Sequence, residues 1–118
     1  MTFASLYAVL VGFAMIGQWT FSLITKQVPE VKTEPFRIAF HLAGEFLTAV
    51  ALIAGGLGLL TGAPWGRSTY LVSVGMLLYT VIVSPGYFAQ KREWPTVGLF
   101  AVLLVLALVS LGLVLNAP

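Results

Sequence analysis

Residues 96–115 read Thr-Val-Gly-Leu-Phe-Ala-Val-Leu-Leu-Val-Leu-Ala-Leu-Val-Ser-Leu-Gly-Leu-Val-Leu, a stretch without a single charge. An α-helix rises about 1.5 Å per residue, so about 20 apolar residues cross the hydrocarbon core of a bilayer. This stretch has that length, and its apolar residues run all round the helix. Working backwards along the chain, three more stretches meet the same test: 68–88, 38–61 and 2–25. The whole composition agrees. Of 118 residues, 59% are hydrophobic, and ten are charged, six Lys or Arg and four Asp or Glu. A soluble domain carries about a quarter charged residues. So few charges could not cover a soluble surface, and a chain this apolar cannot stay disordered. The expectation is an all-α integral membrane protein: an antiparallel bundle of four transmembrane helices in one domain.

The charges orient the bundle. The three loops are short, at 26–37, 62–67 and 89–95, which predicts antiparallel neighbours. Loops 26–37 and 89–95 fall on one side and hold Lys26, Lys32, Arg37, Lys91 and Arg92; the other side holds Arg67. Basic residues collect on the cytoplasmic side of membrane proteins. Loops 26–37 and 89–95 are therefore expected in the cytoplasm, with both termini on the opposite face of a plasma (inner) membrane. Nothing basic precedes the first span, which predicts a retained helix rather than a signal peptide. Trp65 and Tyr70 at one interface, and Phe36, Tyr87, Phe88 and Trp94 at the other, suit the aromatic belts. Pro85-Gly86 predicts a kink or an end to the third span.

The net charge of +2 offers no footprint for nucleic acid, so none is expected as a partner. With no cysteine there is no disulfide, thiolate nucleophile or iron–sulfur site. The single His excludes paired-His haem ligation within one chain. The expected partners are the lipid bilayer and either further copies of the chain or a larger membrane complex; no cofactor is indicated.

The second span carries the unusual residues. At 100° per residue, Arg37, His41, Gly44, Glu45, Thr48 and Gly55 share one stripe. Ala54, Gly58 and Gly62 lie on another side and form a small-residue packing motif of the GxxxG kind. The second helix should therefore be central. The first span adds Gln18, Ser22 and Thr25 on one face; the third adds Thr69, Ser73, Thr80, Ser84 and Tyr87. Gln18, Glu45 and Thr80 lie seven or eight residues from the cytoplasmic ends, about 10–12 Å deep. Ser22, His41 and Ser84 lie about 5–6 Å deep. The expectation is a polar pocket in the cytoplasmic half, built from spans one to three, with no comparable layer in the outer half.

Glu45 anchors that pocket. A carboxylate in hydrocarbon must find a partner, lose its charge or face water. His41 is one helical turn away and Arg37 one turn further, so the ladder Arg37–His41–Glu45 reads as a binding site or proton relay. His41 and Glu45 supply two metal ligands where a tight site needs three or four, so no metal site is expected. The stretch Arg37-Ile-Ala-Phe-His41-Leu-Ala-Gly-Glu45 is similar to the Arg–His–Glu-bearing second helix of the four-span eicosanoid and glutathione enzymes. That motif's asparagines are absent here, and its His–Glu spacing differs. Small multidrug-resistance transporters carry their glutamate in the first span and need a weak basic bias, and this chain has neither feature. No family follows from the residues.

Three functions compete. The first is an oligomeric transporter or channel subunit for a proton, ion or small polar solute. The second is a non-catalytic accessory or structural subunit of a membrane complex. The third is a membrane enzyme acting on a lipophilic substrate, with His41 and Glu45 as acid and base and Tyr79 or Tyr87 assisting. No nucleophile, metal set or phosphate loop is visible, so no catalytic residue is assigned.

Overall fold

Apolar helix formers fill each span, and the loops hold the breakers, so helices form where the hydropathy places them. The computed structural model describes residues 2–117. The order is α1 (Thr2–Ile24), α2 (Glu30–Thr33), α3 (Pro35–Thr61), α4 (Gly66–Gln90) and α5 (Trp94–Leu115), with no strand among the described residues. The four long helices are each long and apolar enough to cross a membrane.

The helices start and stop for identifiable reasons. Pro35 and Pro95 sit in the first turns of α3 and α5, where a missing N–H leaves no bond unmade. These helices therefore begin before the expected boundaries at 38 and 96. α3 ends at Gly62, whose φ of 71° is left-handed, and the Ala63 N–H turns back to the Gly58 carbonyl at 2.9 Å. α1 and α4 end the same way without glycine. Lys26 and Arg92 both adopt φ 59°, and Gln27 and Glu93 donate to the Ser22 and Phe88 carbonyls, each at 2.9 Å. Pro85 does not end α4, which continues to Gln90. α2, a single turn, lies inside loop 26–37.

Glycines decide how close the helices come. A Cβ at Gly12 would lie 2.7 Å from the Ala49 carbonyl oxygen, and one at Gly56 would lie 2.7 Å from that of Ser5. Those two points clamp α1 to α3. On the other face of α3, a Cβ at Gly55 would meet the Tyr70 backbone at 2.7 Å, and one at Gly58 would meet Gly66 at the same distance. On each pair the contacting residue numbers fall along one helix as they rise along the other. α3 therefore packs on α1 and α4, α4 packs on α5, and a lighter contact between α1 and α5 closes the ring. The Tyr7 hydroxyl makes part of that closure by donating to the Leu103 carbonyl at 2.7 Å.

Inside the ring lie Ala4, Ala8, Leu52, Val74, Leu77 and Ala107, all almost inaccessible. Outside it, Leu10, Phe13, Phe40, Leu47, Val72, Leu99 and Val105 point away from the chain. This sheath of large apolar side chains suits lipid rather than water. α5 is the most peripheral helix, with Ala107, Ser110 and Val114 as its buried residues.

Candidate functional site

The site grows from one turn of α3. Glu45 is 5% exposed, and its Oε1 lies 3.6 Å from His41 Nε2 and 3.3 Å from Ser84 Oγ, which donates to it from α4. The Trp19 indole of α1 approaches the same carboxylate, and its ring meets His41 edge-on at 5.4 Å. The His41 and Ser84 contacts both fall on Oε1. Thr48, one turn deeper, donates its hydroxyl to the Gly44 carbonyl at 2.7 Å, as threonines in apolar helices commonly do. Its lone pairs remain available.

Two cavities meet beside this carboxylate. A groove of about 470 Å³ runs between α3 and α4. Glu45, Thr48, Thr80 and Ser84 form its polar part, and Phe40, Met76, Tyr79 and Val83 its apolar part. A second cavity of about 540 Å³ opens at the end of the helices that carries loops 26–37 and 89–95. Trp19, Val28, Glu30, Arg37, Tyr87 and Lys91 are among its walls. His41, Val83 and Ser84 line both.

The loop over the second cavity is tied down. The Tyr87 hydroxyl donates to Glu30 Oε2 at 3.3 Å and accepts from Lys91 Nζ at 2.6 Å. Lys91 also stands 4.2 Å from the centre of the Tyr87 ring. The hydrogen bond with Tyr87 raises the Lys91 pKa above the ordinary lysine value. These contacts fasten α2 to the end of α4, and Val28 tucks in behind with 8% exposure.

Several expectations need correction. Arg37 does not continue a ladder to His41. It is exposed and bonds to Glu34 at 3.2 Å, so the solvated acid one turn back wins over the buried one. Gln18 is exposed on the outside of α1, and Ser22 is half-buried but lines neither cavity. The pocket is thus built from α3 and α4, with Trp19 as the contribution of α1. Tyr79 lies at the mouth of the groove, 70% exposed, and Tyr87 belongs to the loop fastening. Gly58 packs against Gly66, but Gly62 has open space around it and serves as the cap of α3. Ala54 is half-buried. The packing glycines are Gly12, Gly55, Gly56, Gly58 and Gly66 rather than the pair Gly58 and Gly62.

The opposite half of the ring is not apolar either. The Tyr70 hydroxyl donates to Ser110 Oγ at 2.6 Å, Ser110 donates to the Ala107 carbonyl, and Ser73 donates to the Tyr70 carbonyl. All three side chains are fully buried, and so is Ser5, whose hydroxyl has no partner. The sequence reading placed Ser73 on a polar face but missed this cluster, because Tyr70 and Ser110 lie 40 positions apart and no local pattern joins them. It missed Trp19 because it followed the polar face of α1. The small residues Ala4, Ala8 and Gly12 mark the face that actually packs, and Trp19 extends it.

These features define an all-helical protein whose four long helices could span a membrane. The chain belongs to the family described as "Domain of unknown function (DUF8058)", which it matches over residues 1–118. No curated protein and no solved structure matches it.

Proposed function

We propose that the protein is a small polytopic membrane protein that binds a proton, ion or small polar solute at Glu45, as a subunit of an oligomeric transporter or channel. The four helices form an antiparallel bundle in a plasma (inner) membrane, with loops 26–37 and 89–95 cytoplasmic and both termini outside. The asymmetry of basic residues supports that orientation. The observation that carries the function is the position of Glu45, a buried carboxylate on the wall of the α3–α4 groove, with His41 and Ser84, which line both cavities, on one oxygen. A purely structural pair would be packed dry, whereas here Glu45 borders the groove and His41 lines both cavities. Beyond Thr48, the fully buried Leu52, Tyr70, Val74 and Leu77 block any path through one chain. Passage therefore requires an assembly or a second conformation.

Proton flux into liposomes, compared between the wild type and Glu45→Gln, tests the reading. Loss of flux in the variant is expected; equal flux would remove Glu45 from transport. The chain has no cysteine. Single substitutions Thr33→Cys and Ala63→Cys, labelled from each side of the membrane, therefore test the orientation directly.

The closed half favours a second reading, an accessory subunit that needs packing surfaces alone. It would gain if His41→Ala and Glu45→Ala changed assembly and nothing else.

A further inference from the structure

The groove between α3 and α4 is larger than a proton or a bare ion needs. Its volume of about 470 Å³ lies within the range of about 300–1,000 Å³ usual for small-molecule sites. A water molecule takes about 30 Å³. The lining is graded. Glu45 and Thr48 lie at the buried side, 5% and 3% exposed, while Phe40 and Tyr79 at the mouth are 80% and 70% exposed. The mouth opens sideways between two helices whose neighbouring outward residues are apolar, Leu47 and Ile82 among them.

The most buried polar groups of the groove, Glu45 and Thr48, offer acceptors. Thr48 has already given its hydroxyl proton to Gly44, and the Glu45 carboxylate borders the groove with His41 and Ser84 on Oε1. The one basic group near the carboxylate is His41, itself 39% exposed and held against one oxygen only. A metal ion is poorly served, because no three His, Asp or Glu converge among the described residues. An anionic head would face the carboxylate unpaired. Aromatic faces at the mouth suit a cation or an apolar body passing between them.

We propose that this groove binds an amphipathic organic cation, an ammonium head on an apolar body. The head sits on Glu45 and Thr48, and the body lies between Phe40 and Tyr79 toward the lipid. The proposal rests on the reading of Glu45 as a binding site and names its ligand class.

The test uses full-length protein in nanodiscs of phosphatidylcholine. With Trp65→Phe and Trp94→Phe, Trp19 beside His41 becomes the sole tryptophan reporter. Dodecylamine, protonated at neutral pH, and dodecanol are titrated against its emission. Dodecylamine should saturate the signal at about thirtyfold lower concentration than dodecanol, the fold-change that accompanies loss of a buried charge partner. Glu45→Gln should bring the amine to the level of the alcohol, and Phe40→Ala should weaken the amine several-fold. Equal binding of amine and alcohol to the parent protein overturns the proposal without recourse to any site variant. Undiminished amine binding by a folded Glu45→Gln does so as well. Glu45-dependent proton flux without saturable amine binding would overturn this inference and leave the proposed function standing. Saturable, Glu45-dependent amine binding without flux would do the reverse.

Discussion

The two halves of the molecule use polar residues in opposite ways. At the end that carries loops 26–37 and 89–95, Glu45, His41 and Ser84 border open space. At the other end, Tyr70, Ser73 and Ser110 are closed on each other and on backbone carbonyls, with no exposure. Glycines make the difference. Gly55, Gly56 and Gly58 bring α1 and α4 against α3 in the closed half. In the open half, Gly44 has nothing within 4 Å of where a Cβ would be, and Phe40, Met76 and Tyr79 line the groove beside it. Close packing fixes the closed half, and the loose half carries the chemistry. That division is familiar, since sites need space and flexibility that stability does not supply.

The sharpest way to break the comparison is to force the closed half open. Gly56→Leu would drive a side chain into the Ser5 carbonyl and Val9. Overpacking of this kind costs typically 1–3 kcal/mol, and backbone contact puts this case at about 3 kcal/mol. Thermal unfolding in mild detergent should show a large loss. The same change at Gly44, beside the groove, should be far milder. Equal losses at both glycines would mean that the two halves are packed alike.

The helix ends give an intermediate effect of opposite sign. Lys26 and Arg92 hold left-handed backbone at φ 59°, where a Cβ costs about 1 kcal/mol. Gly62 performs the same task in α3 without that cost. Lys26→Gly and Arg92→Gly should each stabilise by about 0.5–1 kcal/mol, less whatever the cation contributes at the helix C-terminus. If both destabilise, those charges hold the helix ends more strongly than the backbone strains them.

How much of this was legible follows the same division. The four long helices could be read from hydropathy, because twenty-odd apolar residues have few alternatives in water or lipid. Glu45 and His41 could be read because a charge in such a run is conspicuous. The neighbours of Glu45 were harder. Gln18 matched Glu45 in depth yet points outward, since depth fixes a residue's height along the axis and not its rotation about it. The face of α1 was set by Ala4, Ala8 and Gly12, small residues whose meaning is a close approach by a partner helix. Gly62 looked like packing and proved a cap, because sequence spacing cannot distinguish the last turn of a helix from its interior. The Tyr70–Ser110 bond joins residues 40 positions apart, and no local pattern announces it.

That bond offers the next comparison. Tyr70→Phe removes one buried hydrogen bond but leaves Ser110 donating to Ala107. Interhelical hydrogen bonds in membrane proteins contribute about 0.6 kcal/mol on average. A loss of about that size is expected in unfolding measurements, with flux unchanged. A loss of flux would place the closed half in the transport path.

Glu45→Gln should show the smallest effect on stability. The amide keeps an oxygen that can accept from Ser84, and it removes a charge that burial disfavours. Its partner His41 is 39% exposed, so the substitution strands no fully buried charge. Unfolding should therefore change by no more than a few tenths of a kcal/mol, a small surface-like effect despite the 5% exposure. The contrast with Tyr70→Phe is the point of the measurement, because both residues are buried and hydrogen-bonded, and the two halves differ in whether that bonding serves the fold. If Glu45→Gln costs several kcal/mol, the carboxylate is a structural anchor like Tyr70. The groove beside it would then be a packing defect rather than a site.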